Sequence, residues 1–413
     1  EVLKKKKLLC YSFTCFIGQI KSNIRCLTSQ VSLPSPISKH NIFGREIYLK
    51  RDDLILNDRN LCGNKSRKLL NILENHQKLP IVASYGGVQS NSMLALAKCS
   101  TNNFEFLYFV PKIPSILKDN PFGNFKEALN LGMKVSTVYC HSKSIVFSLF
   151  TNEVREVGNA VYKDMSNLRT STLPWSNPDF KMGKEVILRE VNSLGFGKED
   201  LFWVPQGGCM IEAELGVSQL AKEIIDFIER SNESRPWKVL FASGTGTTAY
   251  LTSRYLNNHK VTGNKSLLDI EIIALPCATS AEELLHEMKQ LEEQFTSLSD
   301  IHQNDIHIPY PIIIEPTTET HFAEPNLLHL MIWKSLQETI GVEFDLIYTP
   351  RAFEILLSHV NPAKTQIEGM NWNQYSLVDL YPGTNIMYYH CGGIEGNLSQ
   401  LGRYKYKKIS IPC

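Results

Sequence analysis

An α/β fold of mostly parallel sheets covered by helices is the expectation this sequence sets. Short apolar, β-rich runs alternate with segments of helical length from Ile47 to His390. Four glycine-rich turns sit directly behind such runs, at Gly86-Gly87, Gly207-Gly208, Gly244-Thr245-Gly246 and Gly392-Gly393. At 413 residues the chain exceeds what one core usually holds, so two domains are expected. Repeated strand–turn–helix units of this length build parallel sheets with helices on their faces.

The elements follow in order. REIYLKRDDL gives a strand over Ile47 to Lys50 that ends in an acidic turn, and Asn64 is an N-cap for a helix through SRKLLNILENH. KLPIVASYGGVQSNSMLALAKC is a strand, a glycine turn and a helix from about Ser90. FEFLYFV is a buried strand, FGNFKEALNLGM helical, and KVSTVY a further strand. LFWVPQGG leads into the helix EAELGVSQLAKEIIDFI, and KVLFASGTGTTAYLTSRYL repeats the plan before the strand IEIIALP. The charged, amphipathic stretch within residues 280–306 reads as a surface insertion. DLIYTPRAFEILL and the strand and turn IMYYHCGGIEGN close the chain.

Composition excludes several classes. A net charge of +1 gives nucleic acid no footprint, and no apolar run reaches the ~18 residues of a membrane span. The ten cysteines have neither CxxC pairing nor zinc spacing, so reduced thiols and no metal are expected. Residues 1–36 stand apart: from Val2 to Arg45 there are eight Lys or Arg and no acidic residue. An organelle transit peptide, a signal-peptide head and a basic tail all fit. The first is favoured, with a mature chain starting near residues 30–40 in a mitochondrion or plastid, the cytoplasm being the alternative.

Carboxyl ends of parallel strands line the ligand crevice of such sheets. Of the four turns there, Ser243-Gly244-Thr245-Gly246-Thr247-Thr248 is the most informative, since it offers consecutive N–H groups and hydroxyls at a helix start, an anion site. It lacks the nucleoside-triphosphate spacing. Gly244, Gly246 and Ala249 fit GxGxxA, but Asp269 and Glu271 open the next strand and Leu275-Pro276 ends it, so a ribose has no acid to hold it. A phosphate monoester is the better guest. Together with a lysine near the crevice this points to pyridoxal phosphate, whose aldehyde needs a lysine and whose phosphate needs a cradle.

Taken together and in order, GNKSRKLL, YGGVQSN, PQGG, SGTGTTA, DLIYTPRAFE and YHCGG resemble the 1-aminocyclopropane-1-carboxylate deaminase and D-cysteine desulfhydrase family, over roughly residues 45–400. The resemblance implies the tryptophan-synthase-β-like fold of fold-type II pyridoxal-phosphate enzymes, with two open sheets. It divides the chain into a large cofactor-binding domain (37–75 and 200–413) and a small one (76–199), and it implies a homodimer acting on a small amino acid. By position, Lys65 is the Schiff-base lysine. Ser90 lies beside the substrate, Asn91 contacts the cofactor's phenolic oxygen, and Gly244, Thr245, Gly246, Thr247 and Thr248 form the phosphate cradle. Tyr348 is the active-site tyrosine, and Thr349 faces the pyridine nitrogen. The sequence departs from the family pattern at Ser92, Pro350-Arg351, Cys391, Cys209-Met210 and Glu212, positions that border the substrate side.

Each of these residues has a plainer reading. Lysines are mostly solvated, and Lys68, one turn beyond Lys65, reads as an exposed helix side chain. Ser90 caps a helix, a role compatible with holding a carboxylate. Tyr348 suits a core strand, and His390 with Cys391 suits the pocket wall better than a metal site. The expected reaction is α,β-elimination, with D-cysteine giving pyruvate, ammonia and sulfide. Cyclopropane opening, a cofactor binder with little catalysis, and a dinucleotide oxidoreductase are the alternatives. Elimination from D-cysteine is favoured because Thr349 is a neutral hydroxyl where cyclopropane-opening members have glutamate.

Overall fold

The computed structural model describes residues 33–55, 60–75, 79–138, 144–148, 154–157, 184–261, 269–298, 310–318, 320–360 and 376–410. The basic leader lies almost wholly outside them. Two mostly parallel sheets flanked by helices form the architecture, as expected. In chain order the strands are β1 (Ile37–Ile42), β2 (Arg45–Arg51), β3 (Ile81–Tyr85), β4 (Glu105–Val110), β5 (Lys134–Val138) and β6 (Ser144–Ser148). They continue with β7 (Val154–Val157), β8 (Leu201–Val204), β9 (Trp237–Ser243), β10 (Ile270–Pro276), β11 (Ile312–Ile313) and β12 (Asn385–His390).

One sheet runs β1-β2-β12-β9-β10-β11 and is parallel except at the β1 edge. The other runs β7-β6-β5-β4-β3-β8, parallel from β5 to β8 and antiparallel at its β6–β7 edge. β8 pairs with β3 and carries this second sheet to Val204. Strands buried on both faces explain the unbroken apolar runs: all five residues of β3 are buried, as are all six of β12.

The helix Ala281–Leu298 departs from the expectation of a surface insertion. Leu284, Met288 and Leu291 are fully buried in the core around Trp237, Val239 and Tyr250; Glu282, Glu283, Lys289 and Glu293 face outward, while Glu287 is buried. Amphipathic periodicity of this kind marks a helix that covers a sheet. Tyr348 likewise opens a helix, Tyr348–Val360, and does not lie in a strand. No helix among the described residues is long and apolar enough to cross a membrane.

Candidate active site

Each glycine turn begins within three residues of a strand's carboxyl end, at β3, β8, β9 and β12. Side-chain and backbone contacts then draw the four turns together. Asn91 Nδ2 donates to the Gly393 carbonyl at 3.2 Å, joining the turn after β3 to that after β12. The Asn64 amide donates to the Cys391 carbonyl at 2.8 Å, docking the GNK segment on the same turn. A Cβ at Gly63 would stand 2.2 Å from that carbonyl oxygen, at φ +65°, so only glycine allows the approach. A Cβ at Gly207 would meet Thr245 at 3.3 Å, which brings the turn after β8 against the loop after β9.

Lys65 sits half-buried in the short helix Asn64–Lys68, in the segment docked on the last glycine turn. Burial pulls its amine below the usual lysine value, while the neighbouring Cys391 acts in the opposite direction. The Cys391 thiol is itself pushed up to about 12, by burial and by Asp345, with Lys65 opposing. Lys68 overturns its sequence reading. It is only 3% exposed, and burial together with repulsion from Lys65 lowers its pKa to about 7. A Cβ at Gly208 would lie 3.7 Å from Lys68 Cε, one residue after Gly207, whose added Cβ would meet Thr245, and Lys68 also feels Cys209. The second amine therefore borders the threonine loop.

That loop turns tightly just ahead of a helix. Gly246 has φ +67° and rests on Leu284 and Met288, while the helix Thr247–Val261 starts immediately behind it. Thr245 and Thr247 share a hydrogen bond between their hydroxyls at 2.7 Å, and Thr248 is buried beside them. Tyr348 closes the other side, its ring 3.3 Å from where a Gly244 Cβ would stand. Burial raises its phenol above the ordinary tyrosine value.

The remaining positions are more committed than the sequence implied. Ser90 caps the helix Asn91–Ser100, accepting from the Ser92 and Met93 amides at 3.1 and 3.4 Å. Asn91 Oδ1 accepts from Asn124 at 2.8 Å, so both ends of its amide hold protein. Thr349 donates to Asp345 at 2.6 Å and accepts from the Tyr388 hydroxyl at 3.1 Å. Arg351 turns away from substrate chemistry: it binds Glu354 at 2.6 Å and the Thr318 carbonyl at 2.5 Å, and Glu354 also binds His329 at 2.8 Å. Ser92 is buried, with its hydroxyl unpartnered.

Searches by sequence give no match: no family model matches the chain. No curated protein matches it either. Solved structures do. An ACC deaminase homologue is 18% identical, with 92% of this chain and 94% of that one covered at a TM-score of 0.57. A hydrogen sulfide-producing enzyme from Fusobacterium nucleatum is 15% identical over 88% and 95% of the two chains, at a TM-score of 0.46. A pyridoxal 5'-phosphate-dependent aspartate racemase is 14% identical over 87% and 90%, at a TM-score of 0.44. The first of these establishes a shared fold over nearly the whole of both chains.

Proposed function

We propose that this chain is a pyridoxal-phosphate-dependent lyase that carries out α,β-elimination on a small amino acid. The observation that carries the reading is the placing of Lys65. A lysine amine, depressed by burial, lies in the same cluster as a glycine–threonine loop at a helix start, with a second low-pKa amine beside that loop. The residues fit the cofactor. Gly244 to Thr248 with Lys68 would hold its phosphate and Lys65 its aldehyde carbon, with Asn91 beside its phenolic oxygen and Thr349 facing its ring nitrogen.

When bound, the cofactor supplies an aldehyde for the substrate's amino group and a ring that draws electrons from Cα. The protein's own groups do the rest. Lys65, uncharged for part of the time because it is desolvated, takes the Cα proton. Ser90 and the start of its helix lie where a substrate carboxylate is held, and Tyr348 walls the opposite side. With D-cysteine the β-carbon releases sulfide, and one water completes the balance to pyruvate and ammonia.

D-Cysteine is favoured over 1-aminocyclopropane-1-carboxylate by Thr349. The nearest carboxylate, Asp345, spends its oxygens on the Ile347, Tyr348 and Thr349 amides and on the Thr349 hydroxyl. A hydroxyl gives a weaker electron sink than a carboxylate, sufficient to expel a thiolate but not to break a ring carbon–carbon bond. The test starts with visible absorbance of the purified protein and its loss on borohydride treatment, which Lys65→Ala should abolish while the fold stays intact. Sulfide and pyruvate from D-cysteine, and 2-oxobutanoate from the cyclopropane, are then measured on one preparation. Faster 2-oxobutanoate release overturns the substrate choice. Cofactor without turnover of any amino acid makes the chain a binder.

A further inference from the structure

The helix Asn397–Tyr406 and the residue that follows it set three side chains on one stripe, Gln400, Arg403 and Lys407. All three bind the turn His321–Glu324. Gln400 Nε2 donates to the Ala323 carbonyl at 2.9 Å, Arg403 Nη1 donates to the same oxygen, and Lys407 pairs with Glu324 at 2.6 Å. Gln400 is 2% exposed, and its Oε1 accepts from Arg403 at 3.1 Å, so both ends of this buried amide are committed. The turn closes with the Glu324 amide donating to the His321 carbonyl at 3.0 Å. Its third residue, Ala323, has φ +56°, a conformation that a turn normally gives to glycine. A residue with a side chain persists there only where its surroundings hold it, and the two donors on its carbonyl do so.

What this strained turn carries is Phe322. Its ring is 44% exposed, so burial does not account for its place. It packs against the Tyr348 ring, with centroids 5.4 Å apart and planes at 54°. Tyr348 in turn stands 3.3 Å from where a Gly244 Cβ would lie, beside the glycine–threonine loop. The same helix reaches Tyr348 a second time, through the backbone. Asn397 accepts from the Leu346 amide at 2.8 Å and donates to the Phe344 carbonyl at 2.9 Å, fixing the chain that runs into Tyr348.

We propose that Gln400 and Arg403 are positioning residues for the candidate active site. By gripping the Ala323 carbonyl they hold Phe322 against Tyr348, and so fix the tyrosine ring beside the glycine–threonine loop. The inference rests on the reading above, in which Tyr348 walls the substrate side, and it names what sets that wall. Without the grip, the left-handed Ala323 loses the two bonds that offset its strain, and the turn relaxes toward negative φ. Phe322 then swings away, since one exposed, tilted ring contact is too weak to hold a loop by itself.

The experiment incorporates a fluorotyrosine in place of Tyr348 alone, in the full chain supplied with pyridoxal phosphate. Its fluorine NMR signal and the turnover of D-cysteine are read side by side. The proteins compared are wild type, Gln400→Leu with Arg403→Met, Phe322→Ala, all three changes together, and Lys407→Met. Loss of both donors should shift or broaden the fluorine signal of the folded protein and lower kcat/KM about tenfold, while the cofactor stays bound. Lys407→Met, which loses only the exposed ion pair of the same turn, should change neither. Adding the two donor changes to Phe322→Ala should cost no more than about a further twofold, because the donors act through that ring. A signal and a turnover that both survive loss of the donors overturn the proposal. So does a tenfold loss that recurs in full when Phe322 is already absent, or an equal effect from Lys407→Met. If no amino acid is turned over and the signal still moves, the lyase reading falls and the positioning stands.

Discussion

Thr349 gives its hydroxyl proton to Asp345 across 2.6 Å and receives one from Tyr388 at 3.1 Å, all three side chains being at most 2% exposed. Asp345 thereby caps the helix that starts at Tyr348 and orients the residue expected to meet the cofactor ring. Thr349→Ser keeps both bonds. Thr349→Val removes both and strands two buried polar groups, which should cost about 2 kcal/mol or more in urea unfolding. Thr349→Glu would set a second carboxylate against Asp345. It should destabilise the protein further and gain no cyclopropane activity, and such a gain would show that the hydroxyl is not what selects the substrate.

Lys68 makes anion binding to the cofactor-free protein depend on pH. Its pKa of about 7 means that the amine is charged below pH 7 and neutral above it. Sulfate, whose charge is constant in this range, should therefore bind more weakly as pH rises from 6 to 8. Lys68→Met should flatten that dependence and lower sulfate affinity at pH 6 by about tenfold. A wild-type profile flat across the range would remove Lys68 from the cradle.

Glu354 should make the protein acid-sensitive. Burial alone would raise its pKa, but His329 and Arg351 hold the carboxyl down to about 2. A depressed carboxylate contributes stability that is present above its unfolded pKa near 4.5 and lost as pH falls toward 2. The contribution is on the order of 3 kcal/mol. Glu354→Gln should remove this acid dependence and, by leaving Arg351 buried without its carboxylate, destabilise the protein at pH 7 by about 3 to 5 kcal/mol. Chemical denaturation at several pH values checks both.

The glycine turns were legible in the sequence because glycine at the end of an apolar run has a local cause. That Lys65 would stand near the last glycine turn was legible through the order of its companions. What escaped depends on partners distant in sequence. Arg351 finds the Thr318 carbonyl 33 residues away, and no local pattern marks that loop as its acceptor. Lys68 looked solvated because a single helix normally leaves one face to water. Here Gly216 lets a second helix, Glu214–Arg230, press onto Arg67 so closely that a Cβ would come 2.2 Å from its carbonyl, and Gly208 covers Lys68. The periodicity of residues 280–298 announced a helix correctly, but its charges made it read as a surface insertion although it covers a sheet.

Glycines in the cluster should differ from glycines that merely turn the chain. Gly341 has φ +65° and no atom within 4 Å of an added Cβ, so Gly341→Ala meets backbone strain alone, about 1 kcal/mol. Gly63 has the same φ but faces the Cys391 carbonyl and Gly392. Both obstacles are backbone, which cannot rotate aside. Gly63→Ala should cost several-fold more in thermal unfolding and displace Lys65, seen as loss of the borohydride-fixed cofactor. Equal costs at the two sites would show that the docking of GNK on the last glycine turn is loose.

Beneath Lys65 lies a balanced set of buried charges. Arg67 binds Asp52 at 2.6 and 2.9 Å and Glu223 at 3.0 and 2.8 Å, Lys50 binds Glu223 at 2.6 Å, and Tyr389 and Ser35 donate to Asp52. Asp52 is fully buried, and its carboxyl is held below the usual value by Arg67 first, then Ser35 and Tyr389, against the opposing effect of burial. Two cations face two anions, so deleting one leaves its partners uncompensated in a low dielectric. Asp52→Asn should cost about 3 to 5 kcal/mol. Arg67 occupies the helix position between Lys65 and Lys68, so the same change should loosen both amines, and cofactor retention should fall along with stability. Replacing Arg67 by Met and Asp52 by Leu together restores charge balance between Lys50 and Glu223 and should recover part of the stability lost in Asp52→Asn. If the double variant regains stability but not cofactor retention, the network serves to aim the helix as well as to hold it. If it regains neither, the hydrogen bonds from Tyr389 and Ser35 matter more than the charge balance.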